Sequence, residues 1–259
     1  MTKRLHILLA CLVLGACAST PENSQTRSPT DPWEPFNRSM HSFNNGVDRA
    51  LLRPLAKGYE FVLPQFMRTG IGNFFDNLST PLTAINNALQ GKGAAAGNDV
   101  GRLLLNSTIG IGGLFDVATT AGLEKHDEDF GQTLAVWGVP SGPYLVFPFF
   151  GPSTVRDGLM TPFNRAADPL VYAESSIRDK LLPLGIVDAR HRLFAAEALI
   201  KDSADRYVTF RESFLQRRNY LIYDGDPPVD DDFYDDFEDD FEDDFENDVE
   251  AEIEDDIEE

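Results

Sequence analysis

Residues 130–155 read FGQTLAVWGVPSGPYLVFPFFGPSTV, 26 positions without a charged side chain. On charge alone the run is long enough to cross a bilayer, which takes about 20 apolar residues as a helix. Its composition forbids that helix. Gly131, Gly138, Gly142 and Gly151, with Pro140, Pro143, Pro148 and Pro152, would cost it roughly 16 kcal/mol, at about 1 per glycine and 3 per proline. What remains is a chain of turns and short extended pieces, whose backbone groups must be satisfied by protein or by a wet cavity. Two strands are expected, Leu134–Val139 and Tyr144–Phe147, joined through Pro-Ser-Gly as an apolar hairpin. Burial in an ordinary core and placement beside a lipid path are both open for such a segment.

Around this hairpin the pattern is helical. Asp31, Pro32 and Glu34 form a capping-box start, and Phe36, Met40, Phe43, Val47 and Leu51 continue it as one apolar stripe closing near Arg53-Pro54. From Gly70 to Leu89 the same period recurs at Ile71, Phe74, Phe75 and Leu78, then at Leu82, Ile85 and Leu89, with Thr80-Pro81 expected to start a second helix. A third helix is expected from about Ala94 to Ser107. Two more follow late, one carrying Leu193, Ala196, Leu199 and Ile200, the other Tyr207, Phe210, Phe214 and Leu221. No alternation of strands and helices is present. The expected fold class is mainly α, a single helical domain over residues 31–223 with one apolar β-hairpin-like segment.

The two ends differ from this middle. Lys3 and Arg4 precede the apolar stretch Leu5–Leu14, too short to span a membrane, and Leu14-Gly15-Ala16-Cys17 closes it. Residues 1–16 therefore read as a signal peptide, and the four-residue motif resembles the lipobox of bacterial lipoproteins, which implies acylation at Cys17. Ala18 stands where an aspartate would, by the same resemblance, retain the protein in the inner membrane, so outer-membrane delivery is expected. Cys11 lies in the removed part, so no internal disulfide is expected in the mature chain. Residues 17–30 comprise the lipidated cysteine and a flexible polar linker. Residues 224–259 carry 22 acidic residues and no basic ones, with Phe233, Phe237, Phe241 and Phe245 recurring every four positions; this reads as an acidic disordered tail. The tail accounts for the net charge of -21: between Cys17 and Tyr223 there are 21 acidic against 20 basic residues. A nearly neutral folded part argues against nucleic acid as a partner.

Catalysis has little to stand on. There is no GxSxG elbow, no HExxH and no cysteine pair for a metal. His41 sits at the edge of an apolar helix face, His126 lies in the charged loop EKHDED beside Asp127 and Asp129, and His191 is flanked by Arg190 and Arg192. None forms a pattern of nucleophile and base, so no enzyme activity, metal or cofactor is expected. Ile109–Gly113, IGIGG, lacks the Lys-Ser/Thr of a phosphate loop; its glycines suit close packing or a bend.

DPWEPFNRSMHSFN, RPLAKGYEFVLP, GIGNFFDNLSTP, INNALQGK, RLLLNSTIGIGGLFDVAT and FGQTLAVWGVPSGPYLVFPFFGPSTVRDG occur in this order over about residues 31–220, and together they resemble the MlaA (VacJ) lipoproteins. The resemblance implies a ring-like helical protein in the outer membrane of a Gram-negative bacterium, anchored at Cys17 on the periplasmic face. It implies an amphipathic channel that takes mislocalised phospholipids from the outer leaflet to a soluble periplasmic lipid carrier of an ABC-type lipid transport system, maintaining lipid asymmetry, in association with a trimeric porin. A phospholipid needs apolar walls for its tails and a polar track for its headgroup. The candidates to line such a channel are Phe43, Asn44, Phe74, Phe75, Asn106, Gly110, Gly112, Gly113, Phe115, Phe130, Trp137, Tyr144, Phe147 and Phe149. Asn45, Ser107 and Thr108 are further candidates for the polar track, Arg102 reads as an ion-pair partner, and Arg217 and Arg218 suit the end of the last helix. A structural, porin-associated lipoprotein without transport activity is the alternative.

Overall fold

The structure, a computed structural model, describes residues 30–199 and 203–228. The lipidation motif around Cys17, the signal peptide, most of the linker, Ile200 and the phenylalanine repeat of the tail lie outside the described residues. The fold is mainly helical. Helix α1 (Glu34–Val47) passes through a π-helical turn (Asp48–Leu52) into α2 (Arg53–Val62); α3 (Gln65–Leu89) packs along α4 (Gly93–Thr108). The short α5 (Val117–Thr120) and α6 (Phe130–Val136) lead to strands β1 (Tyr144–Phe147) and β2 (Gly151–Thr154). Helix α7 (Val155–Ala166), a 3-10 turn (Pro169–Tyr172), α8 (Ser175–Arg192), α9 (Phe194–Leu199) and α10 (Arg206–Ile222) complete the chain.

Several boundaries differ from expectation, each for a visible reason. Asp31 does not cap α1, which starts at Glu34. Its carboxylate is buried instead, accepting hydrogen bonds from Asn37 Nδ2 at 2.8 Å, Tyr207 Oη at 2.5 Å and Arg211 at 3.1 Å, and so ties the first helix to the last. The chain remains helical past Arg53-Pro54: the wider π-helical turn Asp48–Leu52, closed by the Arg53 N–H donating to the Asp48 carbonyl, sits just before the proline and accommodates a residue without an N–H. Thr80-Pro81 likewise does not begin a helix: α3 runs through Pro81, with the Ser79 and Thr80 hydroxyls donating to the Asp76 carbonyl at 2.8 and 3.1 Å. These bonds supply donors on the turn before the proline.

The hairpin exists but is shifted. Leu134–Val139 is not a strand; Asp129 caps the Gln132 N–H at 2.9 Å, and residues 130–136 become α6. Tyr144–Phe147 pairs antiparallel with Gly151–Thr154, not with the stretch before it. The turn at 148–150 puts Phe149 at φ +67°, a left-handed conformation costing a non-glycine residue about 1–3 kcal/mol. Asn44 of α1 holds that turn, donating from Nδ2 to the Phe147 carbonyl at 2.9 Å and accepting the Phe149 N–H at 2.7 Å.

The distribution of polarity is inverted for a protein surrounded by water. The buried apolar cluster is small, Tyr144, Val146 and Tyr207 with Met40, Val208, Phe214 and Leu215 around it. Asn37, Asn86, Asn87, Asp99, Gln132, Thr133 and Asp188 are as deeply buried. Meanwhile Phe61 is 91 %, Phe66 75 %, Phe149 71 % and Phe150 73 % exposed. Burying one such side chain is worth about 1.5–3 kcal/mol, so an exposed set of this size marks an interaction surface. No described helix is long and apolar enough to cross a membrane.

Candidate functional site

Helix α3 carries the inversion. Asn73, Asp76, Asn77, Thr80 and Thr83 recur every three or four residues and line one face. That face opens on a polar cavity of about 370 Å³, closed by Asp99, Arg102 and Asn106 of α4, by Asp116 and Lys125–Asp127 of the following loop, and by Arg192 and Arg217.

Charges around the cavity are mostly matched. Asp76 pairs with Lys125 at 2.6 Å and Arg192 at 2.8 Å, and Arg192 also reaches Asp188 at 3.1 Å. Burial opposes ionisation of Asp76, but the hydrogen bonds from Arg192 and Lys125 outweigh it and hold the carboxyl below its usual range. Arg102 grips Asp116 with both Nη2 contacts at 2.9 Å and donates to the Leu123 carbonyl at 2.6 Å and Thr119 Oγ1 at 3.0 Å. Burial again opposes ionisation of Asp116; hydrogen bonds from Thr119, Asn106 and Arg102 prevail and hold it at about 2. Asp99 accepts from Asn87 Nδ2 at 2.7 Å and lies 2.8 Å from His126 Nδ1. Arg217 is the loosest cation, 72 % exposed and 3.8 Å from Asp127.

The candidate channel residues are dispersed. Asn106 borders the cavity, but its amide is engaged: Nδ2 donates to Asp116 at 3.1 Å and Oδ1 accepts the Ala118 N–H at 2.9 Å. Gly110, Gly112 and Gly113 lie in the turn after α4, where Ile111, Gly112 and Gly113 are left-handed at φ +53°, +68° and +91°. A Cβ at Gly110 would collide with the Phe115 carbonyl, and one at Gly113 would lie 2.5 Å from the Asn77 side chain; the glycines serve close packing of that turn on α3. Tyr144 is fully buried in the apolar cluster, where burial pushes its hydroxyl pKa up. Asn44 is spent on the hairpin turn, with Phe43 edge-on to Phe149 at 5.1 Å. Phe147 packs against Gly158 at the start of α7, and the Phe130 N–H donates to Asn164 at 3.0 Å. Phe115, Trp137 and Phe149 are exposed, Trp137 donating from Nε1 to the Leu89 carbonyl at 3.2 Å. Phe74 stacks edge-on to Phe75, and Phe75 lines a second, apolar pocket.

Arg102 is an ion-pair partner, as its position suggests. Arg218 is held by Asp129 at 2.7 Å and Asp157 at 2.8 Å, joining α10 to α6 and α7. Asp129 is thereby taken from any cation site with His126, and no group of three His, Cys, Asp or Glu among the described residues is placed to hold a metal. His41 packs against Tyr207 and Phe210, with burial lowering its pKa. His191 Nε2 meets Arg68 at 2.6 Å. Asp76, Asn77, Thr83, Asp99, Lys125 and Arg192 had no individual motif to announce them. For Asp76, Asn77 and Thr83 the signal is the polar stripe of α3, masked by the apolar stripe on its opposite side; Asp99, Lys125 and Arg192 lie on other segments and had none.

A helical protein with a polar interior, a polar cavity and many exposed apolar side chains belongs to the class that offers an apolar surface to a partner or phase other than water. The sequence comparisons make that specific. Residues 29–221 match the MlaA lipoprotein family, and the chain belongs to it. It is 33 % identical to the intermembrane phospholipid transport system lipoprotein MlaA of Escherichia coli K12 over 87 % of this chain and 91 % of that one. An uncharacterized protein of Rickettsia bellii is 38 % identical over 74 % of this chain and 76 % of its own length. A solved structure described as the structural basis for maintenance of bacterial outer membrane lipid asymmetry superposes with a TM-score of 0.66 at 33 % identity, covering 76 % of this chain and all of that one.

Proposed function

We propose that the protein removes mislocalised phospholipids from the outer leaflet of the outer membrane and passes them toward the periplasm, maintaining lipid asymmetry. The observation that carries this reading is the inverted polarity: a cavity lined by matched charges and amides inside a shell of exposed Phe, Leu and Ile. In that arrangement the headgroup travels past Asn77, Thr80, Thr83 and Arg217 while the acyl chains stay with the apolar phase. No bond is made or broken, so the cavity needs no nucleophile. Among its cations Arg217 is the one free enough to attract a phosphate in passing.

Family membership supports the finer parts of the proposal. Cys17 anchors the chain through its acyl groups to the outer membrane, facing the periplasm, since two or more fatty chains anchor stably where one does not. A trimeric porin holds the protein in place, and a soluble periplasmic lipid carrier of an ABC-type system receives the lipid. The test is surface labelling of phosphatidylethanolamine in cells with and without the gene. Labelling that rises without the gene and falls again with the wild-type copy is the expected result. Unchanged labelling would leave a structural, porin-associated lipoprotein as the better account.

A further inference from the structure

The face of α3 opposite the polar cavity borders a second pocket of about 310 Å³, shared with α7 and the 3-10 turn. Phe75, Leu78, Leu82 and Leu170 make it apolar, and Leu170 is buried there because Asp168 caps the turn, accepting the Leu170 N–H at 2.9 Å. Arg165 and Asp168 line the same pocket, with the exposed Thr161 beside them. Arg102, Lys125 and Arg192 of the cavity are each paired with a carboxylate. Arg165 is exposed at the mouth of the pocket, and its guanidinium has no hydrogen bond or ion pair among the described residues.

We infer that this pocket is a holding site for a zwitterionic glycerophospholipid, with the phosphate on Arg165, the headgroup ammonium on Asp168 and the upper part of one acyl chain between Phe75, Leu78, Leu82 and Leu170. The charge pattern argues for this occupant. An unpartnered guanidinium is a phosphate donor of fixed geometry, the neighbouring carboxylate matches an ammonium and repels a second anion, and the apolar walls reward each methylene withdrawn from water. Ser79 lines both this pocket and the polar cavity, so a lipid held here lies next to the polar path with only the edge of α3 between. The inference rests on the phospholipid-transport reading for its purpose, though not for its measurement.

The test uses the purified full-length lipoprotein in detergent, offered equal amounts of dipalmitoyl phosphatidylethanolamine and phosphatidylglycerol, with retained lipids counted by native mass spectrometry. The wild type is expected to retain phosphatidylethanolamine over phosphatidylglycerol by about threefold or more, the scale of one charge-assisted contact at a partly wet site. Leu82→Trp, which fills the pocket, and Thr161→Trp, which blocks it from an exposed position, should each lose one bound lipid. Arg165→Gln should weaken both lipids, and Asp168→Asn should erase the preference between them. Blocked variants that hold as many lipids as the wild type, or a wild type that holds phosphatidylglycerol equally well, would overturn the proposal. The surface-labelling experiment separates the two failures. Unchanged labelling without the gene defeats transport while the lipid count still judges the pocket; increased labelling with no effect of either tryptophan on the count defeats the pocket alone.

Discussion

Asn86, in the last turn of α3, is wholly excluded from solvent, whereas Phe61, at the end of α2, is 91 % exposed. In a protein dissolved in water the two would exchange places. Asn86 is stable where it is because its Oδ1 accepts from Thr133 Oγ1 at 2.7 Å and its Nδ2 donates to the Leu82 carbonyl at 2.9 Å. A buried amide without partners would cost about 1–3 kcal/mol. Phe61 has no such compensation in water; the lipid surround of the proposed function would supply it. The interior is thus held by directional bonds and ion pairs, and the exterior by its solvent. Substitutions inside should cost folding energy, and substitutions outside should cost position in the membrane.

The largest expected effect lies inside. Arg102→Met removes the cation of Asp116, which keeps only its bonds from Thr119 and Asn106, and the guanidinium donor to the Leu123 carbonyl; it should destabilise by about 2–3 kcal/mol, read as a lowered urea midpoint in detergent. Asn44→Leu removes both bonds to the hairpin turn and should cost about 2 kcal/mol, with proteolysis appearing near Phe149. Gly113→Ala brings a methyl against Asn77 at a φ of +91° and should cost about 1–2 kcal/mol in the same assay.

A smaller effect follows from pH. Asp116 titrates at about 2 in the folded protein against an ordinary 3.8. Its contribution is therefore complete above about pH 4 and is lost as pH falls through about 2. The thermal midpoint should fall over that window, and Asp116→Asn should flatten the fall while lowering the midpoint at neutral pH. Identical slopes in the two proteins would remove Asp116 from the account.

Much of the architecture was legible. The expected helix near 94–107 is Gly93–Thr108, and the last expected helix is Arg206–Ile222. Regular periodicity bounded by turn residues suffices for such segments. The hairpin was misplaced by one element because an uncharged run holds no alternation to separate strand from helix; the decisive group was Asp129, one residue before it. Helices α7 and α8 escaped notice because Pro162 and Pro183 lie inside them. The site was the least legible part. An amphipathic helix declares two faces but not which one meets solvent, and on α3 the apolar face of Phe75, Leu78 and Leu82 reads as core in water. Asn44, Asn106 and Tyr144 were singled out by residue type, yet the fold uses all three for support.

The central claim, a polar path inside a lipid-facing shell, is tested most directly by thiol accessibility in opened outer-membrane fragments, which expose both faces to the reagent. Thr80→Cys in the cavity and Phe61→Cys on the shell would each be treated with a membrane-impermeant maleimide, with Glu60→Cys as the exposed polar reference. Phe61 is far more exposed than the half-buried Thr80 in the bare protein. The account predicts the reverse order of reactivity, with Thr80→Cys labelled and Phe61→Cys protected until detergent is added. Labelling of Phe61→Cys as fast as Glu60→Cys before detergent is added would contradict it.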